Sequence, residues 1–158
     1  MSLFELHKLY PHLMKKVKYD VKKCLACKSC VVACSISHSQ AKEITKAIRE
    51  MPLSKSRIEV FWSDKNNFPL SCRHCDEPKC VDACIAGAIV YDKEKKQVLH
   101  DKDKCVGCWM CVMVCPYGAI RPDKDKKIPL RCDLCIEAEK LACVLACPTS
   151  AIILEEVT

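Results

Sequence analysis

Cys105-Val-Gly-Cys108-Trp-Met-Cys111-Val-Met-Val-Cys115-Pro116 places four thiols with two, two and three residues between them and ends on a proline. That C-x2-C-x2-C-x3-C-P order is the spacing of ligands to cubane iron–sulfur clusters. Working outward, the same spacing recurs without the proline at Cys24, Cys27, Cys30 and Cys34. A stretched version, with gaps of two, four and three, holds Cys72, Cys75, Cys80 and Cys84. A longer one, with gaps of two, seven and three, holds Cys132, Cys135, Cys143 and Cys147. These four groups use all 16 cysteines of the 158-residue chain.

Two other uses of so many thiols compete with clusters. A disulfide scaffold needs export, and the start Met1-Ser-Leu-Phe-Glu-Leu-His-Lys8 has no apolar h-region or cleavage site, so a reducing cytoplasm is expected. Zinc is the stronger rival, because Cys72/Cys75 and Cys132/Cys135 are each half of a tetrahedral four-cysteine site. Four thiolates crowded into the eleven residues from Cys105 to Cys115 exceed what one tetrahedral ion requires. Three thiolates at x2 spacing wrap one face of a cubane, while the fourth cysteine points away and serves a neighbouring cluster. Small or apolar residues between the ligands, such as Ala26, Ser29, Val106, Gly107, Val112 and Val114, let backbone amides approach sulfur and exclude water. Pro116 and Pro148 stop the helical turn after the last ligand.

With its Cys72-Arg-His-Cys75-Asp-Glu-Pro-Lys-Cys80 loop, the four-group pattern resembles the four-cluster electron-transfer subunits of the dimethyl sulfoxide reductase and formate dehydrogenase type, over residues 17–155. Cys30-Val-Val-Ala-Cys34-Ser-Ile-Ser-His38-Ser and Pro69-Leu-Ser-Cys72-Arg-His-Cys-Asp are most similar to the branch that accepts electrons from nickel carbon monoxide dehydrogenase. The resemblance implies exchanged ligands. Cys24, Cys27 and Cys30 would share a cluster with Cys147, and Cys132, Cys135 and Cys143 one with Cys34. Cys72, Cys75 and Cys80 would share a third with Cys115, and Cys105, Cys108 and Cys111 a fourth with Cys84. Some relatives lose a third-group ligand and hold a three-iron cluster; here Trp109 replaces none, so four [4Fe-4S] clusters are expected. Ile85 and Ser35 stand where ferredoxin runs often have proline.

The resemblance also implies an α+β fold of duplicated bacterial-ferredoxin-like modules, with short hairpins and helices wrapped around four clusters. Module one is expected at 17–34 plus 132–158 and module two at 72–120, with 35–71 as an insertion. All of 17–158 then forms one compact domain behind an N-terminal extension, 1–16. Gly87-Ala-Ile89, Gly118-Ala-Ile120 and Ser150-Ala-Ile152 mark an internal repeat. Hairpins are expected from 88–92 with 97–100 and from 119–121 with 128–130, and further strands at 17–21 and 58–62. Residues 40–51 have helical composition, with Ile44, Ala47 and Ile48 on one face and Pro52 as a stop. The clusters act as the core, so the metal-free chain is expected to be unfolded or molten.

The formal charge of +6 suggests nucleic acid until the clusters are included. Sixteen thiolates and four oxidised cores bring the loaded protein to about −2, so the lysines compensate cluster charge. His74 lies between two ligands, but every cluster already has four thiols, which makes it a loop residue beside the ligands or at the surface. Trp62 and Trp109 read as packing over a cluster, and Lys93–Lys96 and Lys124–Lys127 as solvated turns. In the extension, Leu3, Phe4, Leu9, Leu13 and Met14, interrupted by Pro11, form a frayed helix, a docking segment or an amphipathic anchor. No apolar run is long enough for a transmembrane span.

There is no G-x-G-x-x-G, P-loop or catalytic Ser/His/Asp set, so no enzyme is expected. The expected function is a cytoplasmic, anaerobic relay of single electrons. On the resemblance, the donor is carbon monoxide dehydrogenase and the acceptor a hydrogenase, a flavin oxidoreductase or another carrier. The alternative is a permanent subunit of a formate dehydrogenase, hydrogenase or molybdenum/tungsten oxidoreductase. A regulatory cluster or zinc scaffold ranks last.

Overall fold

The computed structural model describes residues 15–64, 66–136, 138 and 140–156. The extension's apolar set, Leu3 to Met14, lies outside the described residues. Strand β1 (Lys15–Tyr19) begins two residues before the expected module boundary and pairs antiparallel with β8 (Ile152–Glu156). The alternation of lysine with Val17 and Tyr19 is a half-buried strand pattern. Its register sets Val17 opposite Leu154 and Tyr19 opposite Ile152, all four within one apolar cluster.

Three more two-stranded sheets follow: β2 (Glu59–Trp62) with β3 (Asn67–Leu70), β4 (Ile89–Asp92) with β5 (Gln97–His100), and β6 (Arg121–Asp123) with β7 (Ile128–Leu130). Every strand is therefore an edge, which is why Pro69, Pro122 and Pro129 are tolerated inside strands. In β2–β3, Val60 and Pro69 face inward, while Phe61 and Phe68 stack on the outer face with ring centroids 5.4 Å apart.

The helices are short. They are α1 (Ser29–Ser37), α2 (Ile44–Ala47), α3 (Lys79–Asp82), α4 (Met110–Met113) and α5 (Ala142–Leu145). Single turns do not persist alone, so packing holds them. Helix α1 lies against α5 and α3 against α4, while α5 also packs on β8 and α3 on β4. Two buried clusters result, the first around Cys30, Cys34, Leu134, Leu141 and Cys143, the second around Cys80, Ile89, Val98, Cys111 and Ile120.

The sequence repeat recurs in the backbone. Gly87, Gly118 and Ser150 are all left-handed, each three residues past a last cysteine. Asp20 N–H donates to Ala151 O at 2.8 Å, and Asp101 N–H to Ala88 O at the same distance. Asp92 and Asp123 each accept turn amides two and three residues on, and Lys96 and Lys127 close the two turns in the left-handed region.

The expected helix and one expected strand need correction. The helix expected over 40–51 is one turn, because Glu50 caps the amides of Gln40 and Ala41 and Lys42 is left-handed. Ala47 is buried, but Ile44 and Ile48 are exposed. The strand expected at 119–121 begins at Arg121, since Ala119 and Ile120 turn into the core after Gly118. Strands β3 and β8 carry no signal that the sequence reading recognises. No described helix is long and apolar enough to cross a membrane.

Candidate functional site

A C-x2-C loop must curl so that successive sulfurs face one point. The residue before the second cysteine is left-handed in all four groups: Ala26 at φ 54°, His74 at 48°, Gly107 at 67° and Leu134 at 56°. Lys28 and Trp109, also left-handed, then lead into α1 and α4, which carry Cys30 and Cys111. Only Gly107 is forced by space: a Cβ there would sit 2.5 Å from the Lys127 carbonyl oxygen.

Packing of α1 on α5 carries groups one and four together, and packing of α3 on α4 carries groups two and three. One cavity of about 20 Å³ is lined by Cys24, Cys27, Cys30 and Cys147, with Val60 and Pro69 of the β2–β3 hairpin on its wall. Another, of about 30 Å³, is lined by Cys72, Cys75, Cys80 and Cys115. Arg73 and Tyr117 border it, the guanidinium 4.2 Å from the ring centroid. A third, of about 20 Å³, is lined by Cys84, Cys105, Cys108 and Cys111, with Trp109 at its edge.

The remaining cysteines also gather. Cys34 and Cys143 are buried in one apolar cluster, with Cys132 against it. Buried Cys135 faces a larger cavity of about 480 Å³ lined also by His38, Arg57 and Asp133. Asp133 joins this wall to the insertion, with His38 Nε2 3.0 Å and Arg57 Nη1 3.2 Å from its carboxylate.

Backbone amides reach several sulfurs. Arg57 N–H donates to Cys34 Sγ at 3.2 Å, Leu134 N–H to Cys132 Sγ at 3.4 Å and Ala151 N–H to Cys147 Sγ at 3.2 Å. Burial raises the Cys30, Cys80 and Cys111 thiols to about 11 and Cys143 to about 12, and holds Cys132 well above its usual value. Cys27 is lowered by its bond to Ser29. At Cys147, burial is outweighed by donors from Ile152, Thr149 and Ala151. Most of these thiols are therefore protonated at neutral pH without metal, and loading releases their protons. Four sulfurs around a small void, three from one group and one from its partner, suit a cubane. Among the described residues no three His, Cys, Asp or Glu converge on a point fit for a single ion.

His74 is not at the surface. It is buried, its Nδ1 accepts the Val98 N–H at 3.2 Å, and burial drives its pKa down to about 3, so the neutral ring carries its proton on Nε2. Trp62 is 72% exposed. Sequence reasoning missed Asn67, whose amide donates to Cys24 O at 3.2 Å, as well as Arg57 and Arg131. Arg57 meets Cys34 only in the folded chain, and Arg131, although it precedes Cys132 in sequence, meets Cys72 only there; Asn67 lies in a strand the sequence reading does not foresee.

Cysteine sets of this kind, held by short turns and small sheets, define a ferredoxin-type iron–sulfur protein of electron transfer. Residues 63–157 match the 4Fe-4S dicluster domain family and residues 22–37 a 4Fe-4S binding domain, and the chain belongs to this family and carries four [4Fe-4S] clusters. It is an electron-transfer protein, not an enzyme. An iron–sulfur protein of Rhodospirillum rubrum is 35% identical over 146 residues, covering 82% of this chain and 75% of that protein. The electron transport protein HydN of Escherichia coli is 35% identical over 150 residues, with 85% and 83% covered. A sulfite dehydrogenase component of Allochromatium vinosum is 32% identical over 155 residues; the match takes in 84% of this chain but 64% of that protein, less than two thirds.

Proposed function

We propose that the chain is a cytoplasmic relay that takes single electrons from carbon monoxide dehydrogenase and delivers them to a hydrogenase, a flavoprotein or another acceptor. The observation that carries the relay is the set of three small cavities, each lined by three cysteines of one group and one of its partner. The proposed ligand sets are Cys24, Cys27, Cys30 and Cys147; Cys34, Cys132, Cys135 and Cys143; Cys72, Cys75, Cys80 and Cys115; and Cys84, Cys105, Cys108 and Cys111. When bound, the clusters supply reversible one-electron chemistry. The chain's own part is to hold the thiolates, to place N–H groups on their sulfurs and to keep water out with apolar walls, all of which set potential. The donor rests on the segments 30–39 and 69–76 alone. The proposed plan is two duplicated modules, 17–34 with 132–158 and 72–120, behind the extension 1–16 and around the insertion 35–71.

A permanent place in a larger oxidoreductase, of the formate dehydrogenase, hydrogenase or molybdenum/tungsten type, is the second reading. It is favoured by the sulfite dehydrogenase component among the relatives. Iron, sulfide and zinc counts on anaerobically purified protein test the relay, with an electron paramagnetic resonance spectrum after dithionite. About sixteen irons with interacting cubane signals are expected. Two to four zincs with little iron would overturn it. Reduction by carbon monoxide and catalytic carbon monoxide dehydrogenase, followed near 400 nm, tests the donor, and co-purification of a large partner from native extract would favour the permanent subunit.

A further inference from the structure

Arg131 is the only buried arginine or lysine among the described residues, at 4% exposure. Its Nη2 donates to Cys72 Sγ at 3.6 Å and to the Val98 carbonyl at 2.7 Å, and the next residue along the chain is Cys132. No described carboxylate pairs with it. Through Arg131 the Cys72 sulfur is tied to the residue beside Cys132, so this is where the two halves of the cysteine array meet. Arginine keeps its charge even when buried, so the guanidinium sets a fixed positive charge against the Cys72 sulfur. The two exposed cysteines, Cys27 and Cys108, both belong to the other two sets, where water screens charge.

We infer that Arg131 is a positioning residue of the relay: its sealed positive charge raises the reduction potential of the two clusters at the junction, those of Cys72 and of Cys132. An isolated buried cation is retained only where anions offset its desolvation. Each four-thiolate cluster gains one negative charge on reduction, so a fixed cation stabilises the reduced form of both neighbours. The carbonyl of Val98 aims the guanidinium, which keeps that field fixed in direction.

The inference rests on the proposed ligand sets, and the experiment separates the two. Arg131→Gln and Arg131→Lys are purified without air, assayed for iron and sulfide, and titrated potentiometrically by electron paramagnetic resonance. Arg131→Gln should shift the reduction equilibrium of two of the four clusters at least tenfold toward the oxidised form, about 59 mV for a one-electron couple. The other two should move much less, and Arg131→Lys should restore most of the shift. Unchanged potentials, a uniform shift of all four, or a lysine variant as low as the glutamine variant would overturn the role of charge. Wild type without four clusters would withdraw the ligand sets and this inference together. If Arg131→Gln does not fold, His100→Glu keeps the arginine and sets a carboxylate beside it. The same two potentials should then fall, and their staying fixed would sink the inference.

Discussion

A cysteine in this chain does its work through the backbone that aims it. Ala26, His74, Gly107 and Leu134 occupy one position in four loops and share one left-handed conformation, although only one is glycine. Replacing Gly107 by alanine adds strain of about 1–2 kcal/mol for the left-handed backbone and drives a Cβ onto the Lys127 carbonyl. Gly87→Ala meets nothing within 4 Å, so it should cost the strain alone. Thermal melts of the two loaded variants should place Gly107→Ala clearly below Gly87→Ala; equal melting points would mean the close approach is relaxed at no cost. The cysteine assignments make a second prediction. Cys30→Ser and Cys147→Ser should each damage one and the same cluster, whereas Cys30→Ser and Cys34→Ser should damage different ones. Electron paramagnetic resonance of the single variants decides, and two distinct lost signals for Cys30 and Cys147 would defeat the exchange. The sequence displayed all sixteen thiols but neither the burial of His74 nor the approach of Arg131 to Cys72, because both depend on residues brought together from distant parts of the chain.

Among the elements, the insertion is the part that sequence reading renders least well. Its apolar spacing from Ile44 to Ile48 mimics an amphipathic helix, yet of that face only Ala47 is buried, and Ile48 is 66% exposed. Ile58 and Val60 tie the insertion to the first apolar cluster, and polar contacts add to that hold. Lys55 reaches Asp123 at 2.7 Å, and Arg121 donates to Glu59 at 3.1 Å and to the Ser56 carbonyl at 2.6 Å. Asp123 is buried and also accepts the amides of Asp125 and Lys126. Asp123→Ala should therefore cost about 1.5–3 kcal/mol, the range for hydrogen bonds to a charged group, whereas exposed Asp125→Ala should cost much less. Chemical denaturation under anaerobic conditions measures both, and equal losses would show that the buried position adds nothing. The β4–β5 hairpin is legible because its strands and lysine-rich turn are contiguous. Strand β8 is not, because its partner β1 lies at the opposite end of the described chain.

Across the whole molecule, cysteine sulfur takes the place that branched aliphatic side chains hold in a larger core. Both buried clusters contain cysteines at their centre, and the helices beside them are mostly single turns. Removing iron with a chelator should therefore collapse the fold: absorbance near 400 nm and the far-ultraviolet circular dichroism signal should fall together. A metal-free protein that keeps its strand and helix signal would show that the aliphatic contacts suffice. The sequence by itself determined the cluster type, the four groups and the repeat, since ligand spacing and turn chemistry are local and can be read along the chain. Tertiary structure decided which group faces which, what covers each site and where a buried charge lies. Those depend on α1 meeting α5, α3 meeting α4 and a single arginine lodging between distant sulfurs, contacts whose energy comes from long-range burial and leaves no local pattern.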